Sequence, residues 1–358
     1  MPKSKEHQLW EACTTGDFEL VKVLASDPAV DINWGDPDYD RTGFYRACGH
    51  NRVAVVEFLL KHPEVDVNKR QKEGASAFLI ACESGHEEVV SLLLADVRVD
   101  VNKSQNERCT PFFMACYNGH KEVVSLLLAD SRINLNEPQI NEATPFLIAC
   151  ERGLEEAMLL LLADSRIDVN QPNHNQCTPL WFASMNGYLP LVQLLLVSGR
   201  EIDTKTRSLP GTGTWNNKTA AEMARYQGTR AKIVAESDEI HNRKKQNGPL
   251  IAALLDSFDA DPTATRHHLR ELPGIRDPFI GDLFALVIFL CEDLLTPRVE
   301  SSTHKAARFF QIAQALPMEL QMVLCNRVFG SGKNSVLTKH SEPAFKKLGR
   351  SLAQPESH

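Results

Sequence analysis

An all-α solenoid of stacked helical hairpins is the fold class this sequence predicts, and its spacing carries most of the case. The strings TGFYRAC from Thr42, SAFLIAC from Ser76, TPFFMAC from Thr110, TPFLIAC from Thr144 and TPLWFAS from Thr178 start 34 residues apart every time. Each is followed by a second apolar stretch, such as EEVVSLLLAD from Glu87 and KEVVSLLLAD from Lys121. Each unit then closes on a short polar ending: DVN at Asp66 and Asp100, NLN at Asn134, DVN at Asp168. Self-similarity at a fixed period of this size is the mark of a repeat array.

One unit shows the physics. Thr110 caps a helix whose first turn takes Pro111, where a missing N–H costs nothing. Gly119 ends that helix, because glycine takes the left-handed conformation that a tight helical hairpin needs. The second helix carries Val123, Val124, Leu126, Leu127 and Leu128, more apolar surface than two helices can bury alone, so identical neighbours must stack on it.

With these residues in place the units resemble ankyrin repeats, whose pattern joins a TPLHxAA first helix to a G-H turn, an LLL second helix and a DVN hairpin. Gly85-His86 and Gly119-His120 match the turn. Glu11 to Val21 matches a first helix, and Lys218 to Val234 resembles a closing repeat, so the resemblance covers residues 6–238 in about seven units. It departs from the family in three ways. Tyr45, Leu79, Phe113, Leu147 and Trp181 replace the histidine, turning a side-chain hydrogen bond into apolar packing. The period is one residue longer than the family's 33, and the extra residue falls at the end of the second helix, in ADSRIDVN; where it is absent, glycine returns as Gly199. The loop from Arg207, RSLPGTGTWNN, is also lengthened.

The resemblance implies a scaffold or adaptor that binds protein partners on a concave surface of hairpin tips and first helices. It points to the tip pairs Lys72-Glu73, Asn106-Glu107, Ile140-Asn141 and His174-Asn175 and to the helix positions Glu83, Tyr117, Arg152 and Met185. Tyr117 and Met185 are the expected anchors. Trp215, an indole in a loop of glycine, proline and polar residues, must dock on a neighbour or stand exposed.

Beyond the repeats, EIHNRKKQNG reads as a polar, basic linker over 239–248, followed by a small helical domain over 249–358. Apolar spacing there suggests about six helices, several starting at a proline after a polar residue, as at Asp261-Pro262 and Asp277-Pro278. Residues 303–358 carry eight basic and three acidic side chains, a net +5, against −12 for the rest of the chain. QALPMELQMVL from Gln314 resembles the start of an F-box, which raises an alternative function: an adaptor presenting substrates to a ubiquitin ligase through residues 314–330.

Composition sets bounds on other classes. A formal charge of −7 argues against generic nucleic-acid binding. The nine cysteines include no CxxC pair, which points to reduced thiols rather than disulfides or zinc. Five of them, Cys13, Cys48, Cys82, Cys116 and Cys150, recur immediately after the repeat alanine and are expected as small buried fillers. The amino terminus is polar where a secretory signal is apolar, and the longest apolar run, Leu283 to Cys291, is about half a membrane span. A monomer in the cytoplasm or nucleus is the expectation. FGSGKNS fails as a phosphate loop, with Arg327 where the first glycine belongs. Asp36, Asp38 and Asp40 fail as a calcium loop, with Arg41 at the sixth position and Ala47 at the twelfth. No catalytic, cofactor or metal constellation is predicted.

Overall fold

The computed structural model describes residues 3–211, 217–233 and 235–272. Within them are fifteen helices and no strand beyond a single bridge between Gly35 and Thr42. The chain divides into two compact units, Met1–Asp256 and Ser257–His358. The F-box-like segment, the glycine-rich string near Gly330, the basic tail and Trp215 all lie outside the described residues.

The helices come in pairs. First helices α1 (Lys5–Thr15), α3 (Gly43–Gly49), α5 (Ala77–Ser84), α7 (Pro111–Asn118), α9 (Pro145–Arg152), α11 (Pro179–Met185) and α13 (Ala220–Thr229) form one row, each against the next. Second helices α2 (Phe18–Ala25), α4 (Val53–Leu60), α6 (Glu87–Ala95), α8 (Lys121–Ala129), α10 (Glu155–Leu162) and α12 (Leu189–Val197) form the other. Helices α14 (Asp238–Ala260) and α15 (Pro262–Glu271) follow.

The predicted caps explain the boundaries. The hydroxyls of Thr42, Ser76, Thr110, Thr144 and Thr178 accept from the N–H three residues on, at 3.0–3.2 Å, and all five residues are buried. At the other end Gly85, Gly119 and Gly153 hold φ between 75° and 77° as left-handed caps. Tyr45, Leu79, Phe113, Leu147 and Trp181 are buried, so apolar packing has replaced the family's histidine. Trp181 also keeps a polar contact, its Nε1 donating to the Lys218 carbonyl at 3.0 Å.

Neighbouring units are bridged by asparagine. The Asn102 side chain donates to the Arg132 carbonyl at 2.7 Å and accepts from the Asn134 N–H at 2.8 Å. Asn33, Asn68, Asn136 and Asn170 repeat both bonds in the two units before and the two units after. The residue two before each asparagine orients it by accepting its N–H, as Asp100 does for Asn102 at 3.2 Å. This is the purpose of the polar endings.

The arginines that follow the second helices also have a role. Arg98, Arg132 and Arg166 each pair with an aspartate two residues earlier at 2.6 Å and donate to a carbonyl at the end of the preceding second helix, Leu60, Leu94 or Leu128. A cation there satisfies orphan carbonyls and complements the helix dipole, work that a glycine cap would otherwise do.

The seventh unit corrects the sequence reading. Residues 239–248, expected as a linker, lie inside α14, which packs on α13 as the second helix of the closing hairpin. Helix α14 crosses α13 at close range: a Cβ on Gly248 would meet the Ala224 carbonyl oxygen at 2.5 Å, and one on Gly228 would meet Pro249 Cδ at 2.7 Å. Arg243 and Asn247 donate to the Asn186 and Gly187 carbonyls at 3.0 and 2.8 Å, covering the end of α11. An ion cluster fixes the connection. Glu236, with its side chain 5% exposed, meets Arg230 at 2.6 Å, Lys244 at 3.2 Å and His241 Nδ1 at 3.4 Å. Burial opposes its charge, but hydrogen bonds from Arg230 and Lys244 outweigh burial and push its pKa down to about 2.

Two outcomes follow from these contacts. Replacing Asn102 with alanine removes two bonds to the next unit's backbone and lowers stability by about 1–2 kcal/mol in urea denaturation; an unchanged midpoint would show that the bridges are incidental. For Glu236 the folded pKa lies below the ordinary 4.5, so its contribution is complete above that pH and lost as pH falls towards 2. Protection of the amides across residues 218–252, taken relative to the intrinsic exchange rate at each pH, stays high at pH 4.5 and falls by pH 2. In Glu236→Gln it is already low at pH 7, for a loss on the order of 3 kcal/mol.

Candidate functional site on the tip and first-helix face

The tips are tight turns joined edge to edge. Gln105, Gln139 and Asn173 each donate their N–H to the carbonyl four residues on, closing turns over Asn106-Glu107, Ile140-Asn141 and His174-Asn175. The last turn residue takes positive φ: Gly74 at 88°, Arg108 at 62°, Glu142 at 61° and Gln176 at 59°. Only the first has the residue type that suits this region, so the others carry some strain. Successive tips are then zipped by backbone bonds from Lys72 to Tyr39, Asn106 to Glu73, Ile140 to Glu107, His174 to Asn141 and Leu209 to Asn175, at 2.9–3.3 Å.

These bonds consume backbone and leave side chains outward. Lys72, Glu73, Asn106, Glu107, Ile140, Asn141 and His174 are exposed, with Ile140 at 60%, and Asn175 is half-buried. Four are partly engaged by their neighbours: Lys72 Nζ donates to the Pro37 and Asp38 carbonyls, Glu73 Oε2 accepts from Gln71 Nε2 at 3.4 Å, Asn106 Nδ2 donates to the Lys72 carbonyl at 3.4 Å, and His174 Nδ1 meets the Asn141 carbonyl at 2.9 Å.

On the first helices the residues expected outward divide. Tyr117 is 37% exposed, its ring stacked on Phe113 at 6.3 Å and covered by the Arg152 guanidinium at 4.2 Å. Glu83 is half-buried, and its backbone carbonyl accepts from His120 Nε2 and Asn118 Nδ2. Met185 is 8% exposed, so the expectation of an exposed anchor there is corrected: the side chain is part of the packed row. The register also shows a residue that the sequence reading passed over. Counting 34 on from Tyr117 reaches Glu151, not Arg152, and Glu151 is half-buried on the same face.

The electrostatics of this face are one-sided. Burial raises the Glu83 pKa and the charge of Glu73 adds to it; burial raises that of Glu151, with Arg152 opposing. Burial raises the Cys109 pKa and a hydrogen bond with Gln105 opposes it, while Glu107 and Glu83 add to the rise, so the carboxylates of one tip and one helix act on the same thiol.

The family comparison bears on these hairpins directly. A model for three copies of the ankyrin repeat matches residues 62–139 and 112–206, and a single-repeat model matches 39–69. These repeats are ankyrin repeats. A comparison with curated proteins returns no match for the chain. Ankyrin repeats are in general protein–protein interaction modules, and proteins built from them are typically non-enzymatic scaffolds. Among the described residues no helix is long and apolar enough to cross a membrane, and no three His, Cys, Asp or Glu side chains stand where they could hold a metal.

The cysteines recur along the ankyrin array as buried thiols. Cys13, Cys48, Cys82, Cys116 and Cys150 are all free and buried, and burial raises the pKa of each, for Cys13 to about 12. A thiol held protonated and out of solvent is neither nucleophile nor ligand. Mass-spectrometric mapping after brief treatment with a thiol reagent finds Cys48, Cys82, Cys116 and Cys150 unmodified in the folded chain and modified in urea. Rapid native labelling of any of the four would contradict this.

Proposed function

We propose that the chain is a scaffold or adaptor that holds a protein partner on the concave ankyrin face, made by the hairpin tips and first helices of its central repeats. The observation that carries this reading is the state of Tyr117. Its ring stacks on Phe113 and lies under the Arg152 guanidinium, yet 37% of the residue stays exposed. An aromatic side chain already packed against its neighbours loses little entropy on binding, which is the property of an interface anchor. Ile140 on the next tip extends the open surface. Lys72, Glu73, Glu83, Asn106, Glu107, Asn141, Arg152, His174 and Asn175 form its polar surround.

The test uses cross-linked affinity capture with the full chain. Tyr117→Ala weakens partner capture roughly 30-fold, as expected for an anchor worth about 2 kcal/mol, and Ile140→Ser adds to the loss. Glu87→Gln with Glu88→Gln, on the first turn of the second helix α6, leaves capture unchanged. Loss in the α6 variant with full capture by Tyr117→Ala would move the binding surface to the other row.

A further inference from the structure

The chemistry of the partner can be read from the charges on this face. Glu83, Tyr117 and Glu151 occupy one register position in three consecutive repeats, each 34 residues from the next. The cations around them are already engaged: Lys72 on two carbonyls, Arg70 on the Gly74 and Ser104 carbonyls, Arg108 with Glu137, and Arg152 on the Tyr117 ring. Among the described residues, Glu73, Glu83, Glu107, Glu142 and Glu151 have no cation within ion-pair distance. Burial and the neighbouring Glu73 make the Glu83 charge costly in the free protein, and an incoming cation relieves that cost. A surface with open carboxylates in the repeats on either side of a part-exposed tyrosine complements a positively charged segment and repels an acidic one.

Geometry sets the spacing. Packed helices stand about 8–10 Å apart, so side chains two repeats apart are separated by about 16–20 Å. An extended chain advances about 3.3 Å per residue and covers that distance in five or six residues. We propose that this face takes an extended basic peptide segment in which two lysine or arginine side chains, five or six positions apart, meet Glu83 and Glu151 while an apolar side chain between them meets the exposed part of Tyr117. The inference rests on the reading of this face as the partner-binding surface.

The experiment is selection of a displayed random peptide library on the immobilised full chain, followed by affinity measurement of the enriched peptides. The expected result is enrichment of a basic pair at that spacing around an apolar residue. Affinity then falls at least tenfold in Glu83→Gln/Glu151→Gln, falls in Tyr117→Ala, and weakens with added salt. Unchanged thermal denaturation of the double variant shows that the fold is intact. Enriched peptides that lack the basic pair but still lose binding in Tyr117→Ala overturn the charge inference and leave the surface reading standing. Peptides indifferent to both variants overturn both, as does a library that yields no enrichment.

Discussion

A carboxamide accepts and donates at once, and the array depends on that property of Asn33, Asn68, Asn102, Asn136 and Asn170. Each uses its oxygen on one N–H of the following unit and its nitrogen on one carbonyl. Apolar stacking between helices is strong but non-directional and tolerates sliding by a rotamer or a fraction of a turn. The bidentate bridge does not: it locks each hairpin at one height against the next. The tip-to-tip bonds and the arginine contacts form at the same register because the amides have set it.

Fixing the register consumes backbone groups and spares side chains at the tips. The bonds that zip the tips run between main-chain atoms, so Ile140, Glu107 and Asn141 hold no part of the fold together through their side chains. Stability is thereby carried by the main chain of these residues, and their side chains stay free for the recognition proposed above. Tyr117 is the partial exception, because its ring packs on Phe113 while the residue stays partly exposed.

Much of this was readable from the residues. The caps at Thr110 and its equivalents and the left-handed glycines were predicted from residue type alone, since only those types serve at those positions. The polar endings were recognised as punctuation but not as bridges, because a DVN tripeptide does not reveal that its amide reaches a backbone about 30 residues on. Residues 239–248 were misread for a plain reason. Asn247-Gly248-Pro249 carries the signals of a helix break, and close packing of α14 on α13 overrides them, with Gly248 there to let two backbones approach. Met185 was misplaced because a register count gives the face of a short helix but not how deeply its end is covered. Glu151 was passed over by one residue for the more conspicuous Arg152.

The asparagine and arginine bridges between units close loops of similar size, with partners 30–38 residues apart in sequence. The entropy of closing a loop depends on its own length and not on the length of the whole chain, so adding a repeat adds no harder step than the one before it. Folding can therefore begin at any adjacent pair and spread outward, at a rate governed by local contacts. On the ribosome each hairpin has its docking surface ready as soon as the next one emerges.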